Sequence, residues 1–389
     1  MTYKPPILVL FALIVGLGSG SVVSQELDHK IPPGYEPQLD RDEQGLWMEI
    51  EEAERKVNVS ALLADNIQLN DYIKGIVCNV AGEYCNDFRT YLIRNPGFNA
   101  SMTATGMMHV WTGLIVRATS SDEIAAVVAH EIAHYTQLHS LERFRALKSK
   151  MSKGSFFDLG VLLATGYNVP IGQMTAMQSY MSFSREQEQE ADLLGVILLA
   201  KANYDPHAAY RVWNKVVAEE KAAAAKSEKP GPFAHTHPHA EKRAAYLQTW
   251  VESQYGYAYS SGVSDPEFLE VLNQNYVYLM EDQLDTNRFG RTKEMLERHA
   301  EIGIEPSLVR FFYGEMFRQR RQEGDHELAI AAYRHSIEGG SPPPEAFKNL
   351  GYLYLKTDDL AAAQKMFREY LQLSPQASDR AMIEFYLEG

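Results

Sequence analysis

Residues 130–134 read His-Glu-Ile-Ala-His, two imidazoles four positions apart with a carboxylate beside the first. On an α-helix such imidazoles share one face, with a rise of about 6 Å between them. Both can then reach one tetrahedral Zn²⁺ at about 2.0–2.1 Å. Glu131 projects beside them, placed to take a proton from a water that the metal acidifies to a pKa of about 7. The chemistry is metal-assisted hydrolysis. Three fixed residues in five recur by chance, so the flanking elements must decide.

The run from Ser120 to Ala129 leads into the motif without Gly or Pro. Ser120 with Glu123 three residues on reads as a capping box that starts a helix. The apolar stretch Ile124–Ala129 implies burial, and buried paired histidines need partners. A catalytic zinc needs a third protein ligand and an open position. Glu186, Glu188 and Glu190 all offer carboxylates downstream. Glu188 is preferred because Asp192 lies one helical turn on, suited to orienting a metal-bound imidazole. Glu186 and Glu190 have no such partner and read as a solvated face.

The chain of 389 residues is long enough for two domains. A formal net charge of −14 excludes a nucleic-acid-binding role and leaves at most peripheral association with membranes. The start combines Lys4, an apolar run from Ile7 to Gly18 and small residues to Ser24. That pattern fits a cleavable export signal over 1–24, with an uncleaved anchor as the alternative. Cys78 and Cys85 form an even pair, which in an exported chain predicts a disulfide.

Residues 25–45 are polar and Pro-containing and read as an extended leader. Helical spacing follows from Leu46 to Ala81, then strand-like segments over 90–93 and 99–103 and a strand, or a strand leading into a helix, over 106–116. His109 in this sheet reads as structural, and the sheet's edge as a surface that could hold an extended substrate. Phe156–Tyr167 and Met174, Met177 and Met181 read as core. A histidine-rich loop carries His235, His237 and His239 after a Pro-Gly-Pro segment. From about residue 265 the chain is helical. Phe347, Leu350, Gly351, Tyr354, Ala363, Phe367 and Pro375 fall at the offsets of the 34-residue tetratricopeptide pattern. Tyr313, Gly314, Phe317, Ala329 and Tyr333 give an earlier copy, and 266–300 a degenerate helix pair or a packing element.

HEIAH, then SRExExEAD, then THPxxxxR from Thr236 to Arg243, resembles the HtpX and CAAX-prenyl-protease family of zinc peptidases. The export signal and C-terminal repeats resemble its periplasmic members. The resemblance implies one Zn²⁺ per chain on His130, His134 and Glu188, with Glu131 as general base and Asp192 behind the ligands. It makes His237 a candidate regulatory fourth ligand or a transition-state hydrogen-bond donor, and Arg243 a structural residue. Leu138 departs from the family, where Arg often precedes the histidine matching His139, so the part His139 plays is open. The repeat array is also shorter than in such relatives.

The expected fold is α+β and mostly helical: a gluzincin-type peptidase domain with a small sheet over 46–260, then an all-α tetratricopeptide-like module over 261–389. The expected function is a zinc endopeptidase of the periplasm that cleaves misfolded or stalled envelope proteins. Its partners would be protein or peptide substrates and, through the repeats, envelope assembly machinery. The alternative is a repeat-based binding protein or chaperone with a latent zinc site.

Overall fold

The computed structural model describes residues 29–37, 41–150, 183–226, 228, 239–256 and 265–388. The signal segment, Phe156–Tyr167, Met174, Met177, Met181, His235 and His237 lie outside these residues. Helix α1 (Arg41–Val57) begins inside the stretch expected to be an extended leader. Its stripe of Leu46, Ile50, Ala53 and Val57 packs on Ile93, Met107, Leu141 and Phe144. Buried Glu43 holds the turn ahead of that stripe by accepting a hydrogen bond from Tyr35 Oη at 2.5 Å.

Helix α2 (Ile67–Ala81) starts at Asn66, whose side chain accepts from Leu69 N. Beyond it a 3₁₀ turn carries Cys85, bonded through its sulfur to Cys78 as the spacing predicts. A three-stranded sheet follows: β1 (Arg89–Ile93), β2 (Ala100–Met102) and β3 (Met107–Trp111), in the order β1-β3-β2. The central strand β3 is parallel to β1 and antiparallel to β2, and runs into the single-turn α3 (Thr112–Ile115). His109 on β3 is buried, which drives its imidazole down to about 4 and keeps it neutral, in keeping with a structural role.

The histidine motif lies on α4 (Ser121–Thr136), whose residues from Glu123 to Thr136 are all buried. The capping box expected at its start does not form. Ser120 is the N-cap residue, but its side chain caps nothing. Glu123 instead turns back to Thr119 N at 2.8 Å and pairs with Lys215. Asp265, 144 residues away, does the capping: its Oδ2 accepts from Ser121 N at 2.8 Å. Its Oδ1 accepts from Phe268 N, so one carboxylate starts α4 and α9 (Pro266–Asp285) together. Around α4 stand α5 (His139–Lys150), α6 (Arg185–Lys201), α7 (Ala208–Ala224) and α8 (Ala240–Tyr255).

The helical module continues with α10 (Phe289–Ile302), α11 (Pro306–Arg320), α12 (Asp325–Glu338), α13 (Pro344–Lys356), α14 (Leu360–Leu373) and α15 (Arg380–Glu388). The repeat shows in its packing. A Cβ on Gly314 would stand 2.6 Å from the Tyr333 ring, and one on Gly351 would stand 2.6 Å from the Phe367 ring. Each repeat therefore seats an aromatic of its second helix on a glycine of its first.

Helices α9 and α10 do both things expected of 266–300. They form a helix pair and tie the repeats to the sheet and α7, and one apolar core runs from Ile31 to Leu353. Buried Arg117 donates to Glu219 of α7 at 2.7 Å, to Gln283 of α9 at 2.8 Å and to the carbonyl of Pro96. Arg298 of α10 joins the same Glu219 carboxylate. His299 bridges Tyr276 Oη and the Val116 carbonyl, each at 2.7 Å. Among the described residues no helix is long and apolar enough to cross a membrane.

Candidate metal centre

Two helix contacts build the site. On α4, the four-residue spacing turns His130 and His134 the same way, with their Nε2 atoms 3.0 Å apart. Helix α6 starts at a capping box in which Ser184 Oγ accepts from Gln187 N and Gln187 Oε1 from Ser184 N. Glu188, Ala191, Asp192, Gly195 and Val196 then bury one face of α6. Gly195 allows the close approach to α4, since a Cβ there would lie 3.1 Å from His130 N. Glu188 thereby comes within 3.7 Å of His130 Nε2 and 3.6 Å of His134 Nε2.

These spacings fit a zinc ion. Ligands 2.0–2.1 Å from a tetrahedral metal stand about 3.3 Å apart, and the three pairs here span 3.0 to 3.7 Å. His130, His134 and Glu188 are also the one group of three or more such side chains converging tightly enough to hold an ion among the described residues. Two imidazoles and a carboxylate leave the fourth position open.

Behind the three stands a charged layer. Asp192 Oδ1 is 3.0 Å from His130 Nδ1. Arg243 of α8 grips Asp192 through Nε at 2.8 Å and Glu188 through Nη1 at 2.7 Å. Its guanidinium carbon lies 3.7 Å from the centre of the Trp213 ring. Tyr246 Oη also hydrogen-bonds Asp192. Burial alone would raise the Asp192 carboxyl, but Arg243 and His130 hold it far below the usual carboxylate range. Arg143, which burial pulls down to about 10, faces Glu188 and Glu131.

Glu131 sits on the opposite side, where its Oε2 accepts from Met102 N at 3.1 Å. Asn99 O accepts from Trp111 N and Thr103 N donates to Met107 O, so Asn99 and Thr103 pair with β3. The backbone of Ala100 and Met102 points outward by alternation. The edge is not the open surface expected for strand addition: Ala100 and Met102 are 1% and 6% exposed, and the Met102 N–H is engaged by Glu131.

Of the three candidate carboxylates, Glu188 is the one that converges with the two histidines, and Glu186 is exposed. Glu190, expected on a solvated face, is exposed and in addition accepts from His139 Nε2 at 3.1 Å. The sequence reading missed Tyr246 and Trp213. Tyr246 stands three residues after Arg243, on the same face of α8, and that spacing was the available signal. Of the histidine-rich loop only His239 is described. It is exposed at the head of α8, beside a cavity of about 150 Å³ also lined by Phe183, Arg185, Glu188, Lys242 and Tyr246.

Residues 64–251 match the model of peptidase family M48, and residues 344–376 match a tetratricopeptide repeat. Residues 64–251 belong to peptidase family M48. The chain is similar to the mitochondrial metalloendopeptidase OMA1 of Schizosaccharomyces pombe. The identity is 31% over 165 residues, 41% of this chain and 46% of that protein. It is also 28% identical to the beta-barrel assembly-enhancing protease of Escherichia coli over 204 residues, 49% of this chain and 40% of that protein. The chain thus spans less than half the length of either of these curated relatives.

Proposed function

We infer that this chain is a zinc-dependent endopeptidase of the cell envelope, acting on misfolded or stalled envelope proteins. The observation that carries this reading is the buried convergence of His130, His134 and Glu188 with Glu131 beside them. These three side chains would hold Zn²⁺, which when bound polarises the scissile carbonyl and acidifies water. Glu131 accepts the proton of the attacking water and delivers it to the nitrogen of the leaving amine. The Met102 N–H holds one Glu131 oxygen, which aims the carboxylate. Asp192 accepts from His130 Nδ1–H and leaves Nε2 as the ligand atom. Arg243 sets its positive charge against both Asp192 and Glu188 in a buried setting.

The Cys78–Cys85 disulfide supports an oxidising compartment and hence export. The envelope assignment follows the beta-barrel assembly-enhancing relative, and the repeats would bring substrates or assembly partners to the site. A Glu131→Gln variant that keeps zinc should trap substrates, and mass spectrometry would identify them. Envelope proteins held by the variant and not by wild type support the reading; an empty trap with intact zinc contradicts it. Function surviving Glu131→Gln but not deletion of the repeats would favour the binding-protein alternative.

A further inference from the structure

The two metal-facing histidines are backed in different ways. His130 has a carboxylate behind it, Asp192. His134 has a third histidine: its Nδ1 lies 2.9 Å from Nδ1 of His139, and His139 Nε2 lies 3.1 Å from Glu190 Oε2. We propose that His139 is a positioning residue for the metal centre, fixing the tautomer and ring orientation of His134 and anchored in turn by Glu190. The inference rests on His134 being a ligand, as argued above.

Proton accounting allows one arrangement. His134 turns Nε2 toward His130 Nε2 and Glu188, so Nε2 is the atom offered to the metal and carries no proton. The proton of a neutral imidazole then sits on Nδ1, which becomes a donor. His139 Nδ1 must accept it, because two N–H groups cannot face one another at 2.9 Å. The His139 proton therefore sits on Nε2 and is donated to Glu190. Every ring nitrogen has one role, and the relay ends on a carboxylate whose side chain is 45% exposed.

The backbone is shaped for this contact. Helix α4 ends at Thr136 with Gln137 as its C-cap, and Leu138 takes a left-handed conformation with φ of 56°. That residue reverses the chain so that α5 begins with His139 beneath His134. The His139 side chain is 0% exposed. Phe183 stacks on the face of the His134 ring at 3.9 Å, which leaves its edge to be held by His139. A buried histidine serving only to fill space would not need its nitrogen aimed at the back of a ligand.

The test compares full-length wild type, His139→Phe and His139→Asn by zinc affinity in competition with a chromogenic chelator. Phenylalanine keeps the ring and removes the acceptor, while asparagine places its Oδ1 near the position of Nδ1. Loss of such an outer partner weakens metal binding by about 10–100-fold. The expected result is that loss in His139→Phe and recovery to within about threefold of wild type in His139→Asn. Equal zinc affinity in wild type and His139→Phe overturns the proposal, and so does a loss that asparagine fails to rescue. If His139→Phe does not fold, Glu190→Ala decides from its surface position: weakened binding supports the relay and unchanged binding overturns it. A wild type that binds no zinc would instead refute the metal centre itself, so the two failures are distinguishable.

Discussion

Replacing Arg243 with methionine should expose how much the candidate metal centre depends on this buried positive charge. Arg243 is 3% exposed and contacts two carboxylates, Glu188 and Asp192, themselves 5% exposed. Each contact is worth roughly 4 kcal/mol at an effective dielectric near 20, before the desolvation of both partners is subtracted. Methionine keeps an unbranched side chain but removes the guanidinium from Trp213 and strands two buried negative charges. Breaking such a buried arrangement costs about 3–5 kcal/mol. At about 2–4 °C per kcal/mol, the melting temperature of the chelator-treated protein should fall by roughly 6–20 °C. Saturating zinc brings two positive charges to the same carboxylates and should narrow the gap between variant and wild type. Calorimetry with and without zinc reads both effects. A fall under about 2 °C without zinc, or a gap that zinc leaves unchanged, would refute the reasoning.

The Glu219 carboxyl, raised by burial but more strongly lowered by Arg117 and Arg298, has a folded pKa below its unfolded value of about 4.3. Its contribution is therefore present above pH 4.3 and lost as pH falls through the folded value. Glu219→Gln should cost about 3–5 kcal/mol at pH 7, and its deficit should shrink below pH 4; a pH-independent deficit would contradict the linkage. Cys78 and Cys85 should resist alkylation in the folded, exported protein until reduced, and their short loop should contribute about 2–3 kcal/mol. Free labelling before reduction would remove that contribution and weaken the export argument. For His237, the expected gate, alanine should raise basal proteolysis and self-cleavage without lowering zinc content; unchanged rates would discard a gating role.

The convergence of the candidate ligands was legible because its signals are local. The four-residue step from His130 to His134 and the same step from Glu188 to Asp192 each put two side chains on one helix face. The glycine–aromatic pairs of the repeats were legible for the same reason. What stayed hidden depends on distant partners. Ser120 and Glu123 carry the letters of a capping box, yet burial against Lys215 draws Glu123 away and Asp265 caps the helix instead. Glu190 reads as a surface acid because nothing in its own helix shows that the left-handed Leu138 turns His139 toward it. Arg117, Glu219 and Arg298 look like ordinary charges, and only the packing of α7 and α10 makes them a buried strut.

The central claim is that Glu131 acts on a zinc held by His130, His134 and Glu188. Its most direct test measures zinc content and cleavage of an unfolded protein in parallel preparations of wild type and Glu131→Gln. The account predicts about one zinc per chain in both proteins and a rate about 10²–10⁴-fold lower in the variant. Wild type without zinc, or cleavage by Glu131→Gln at the wild-type rate, would contradict it.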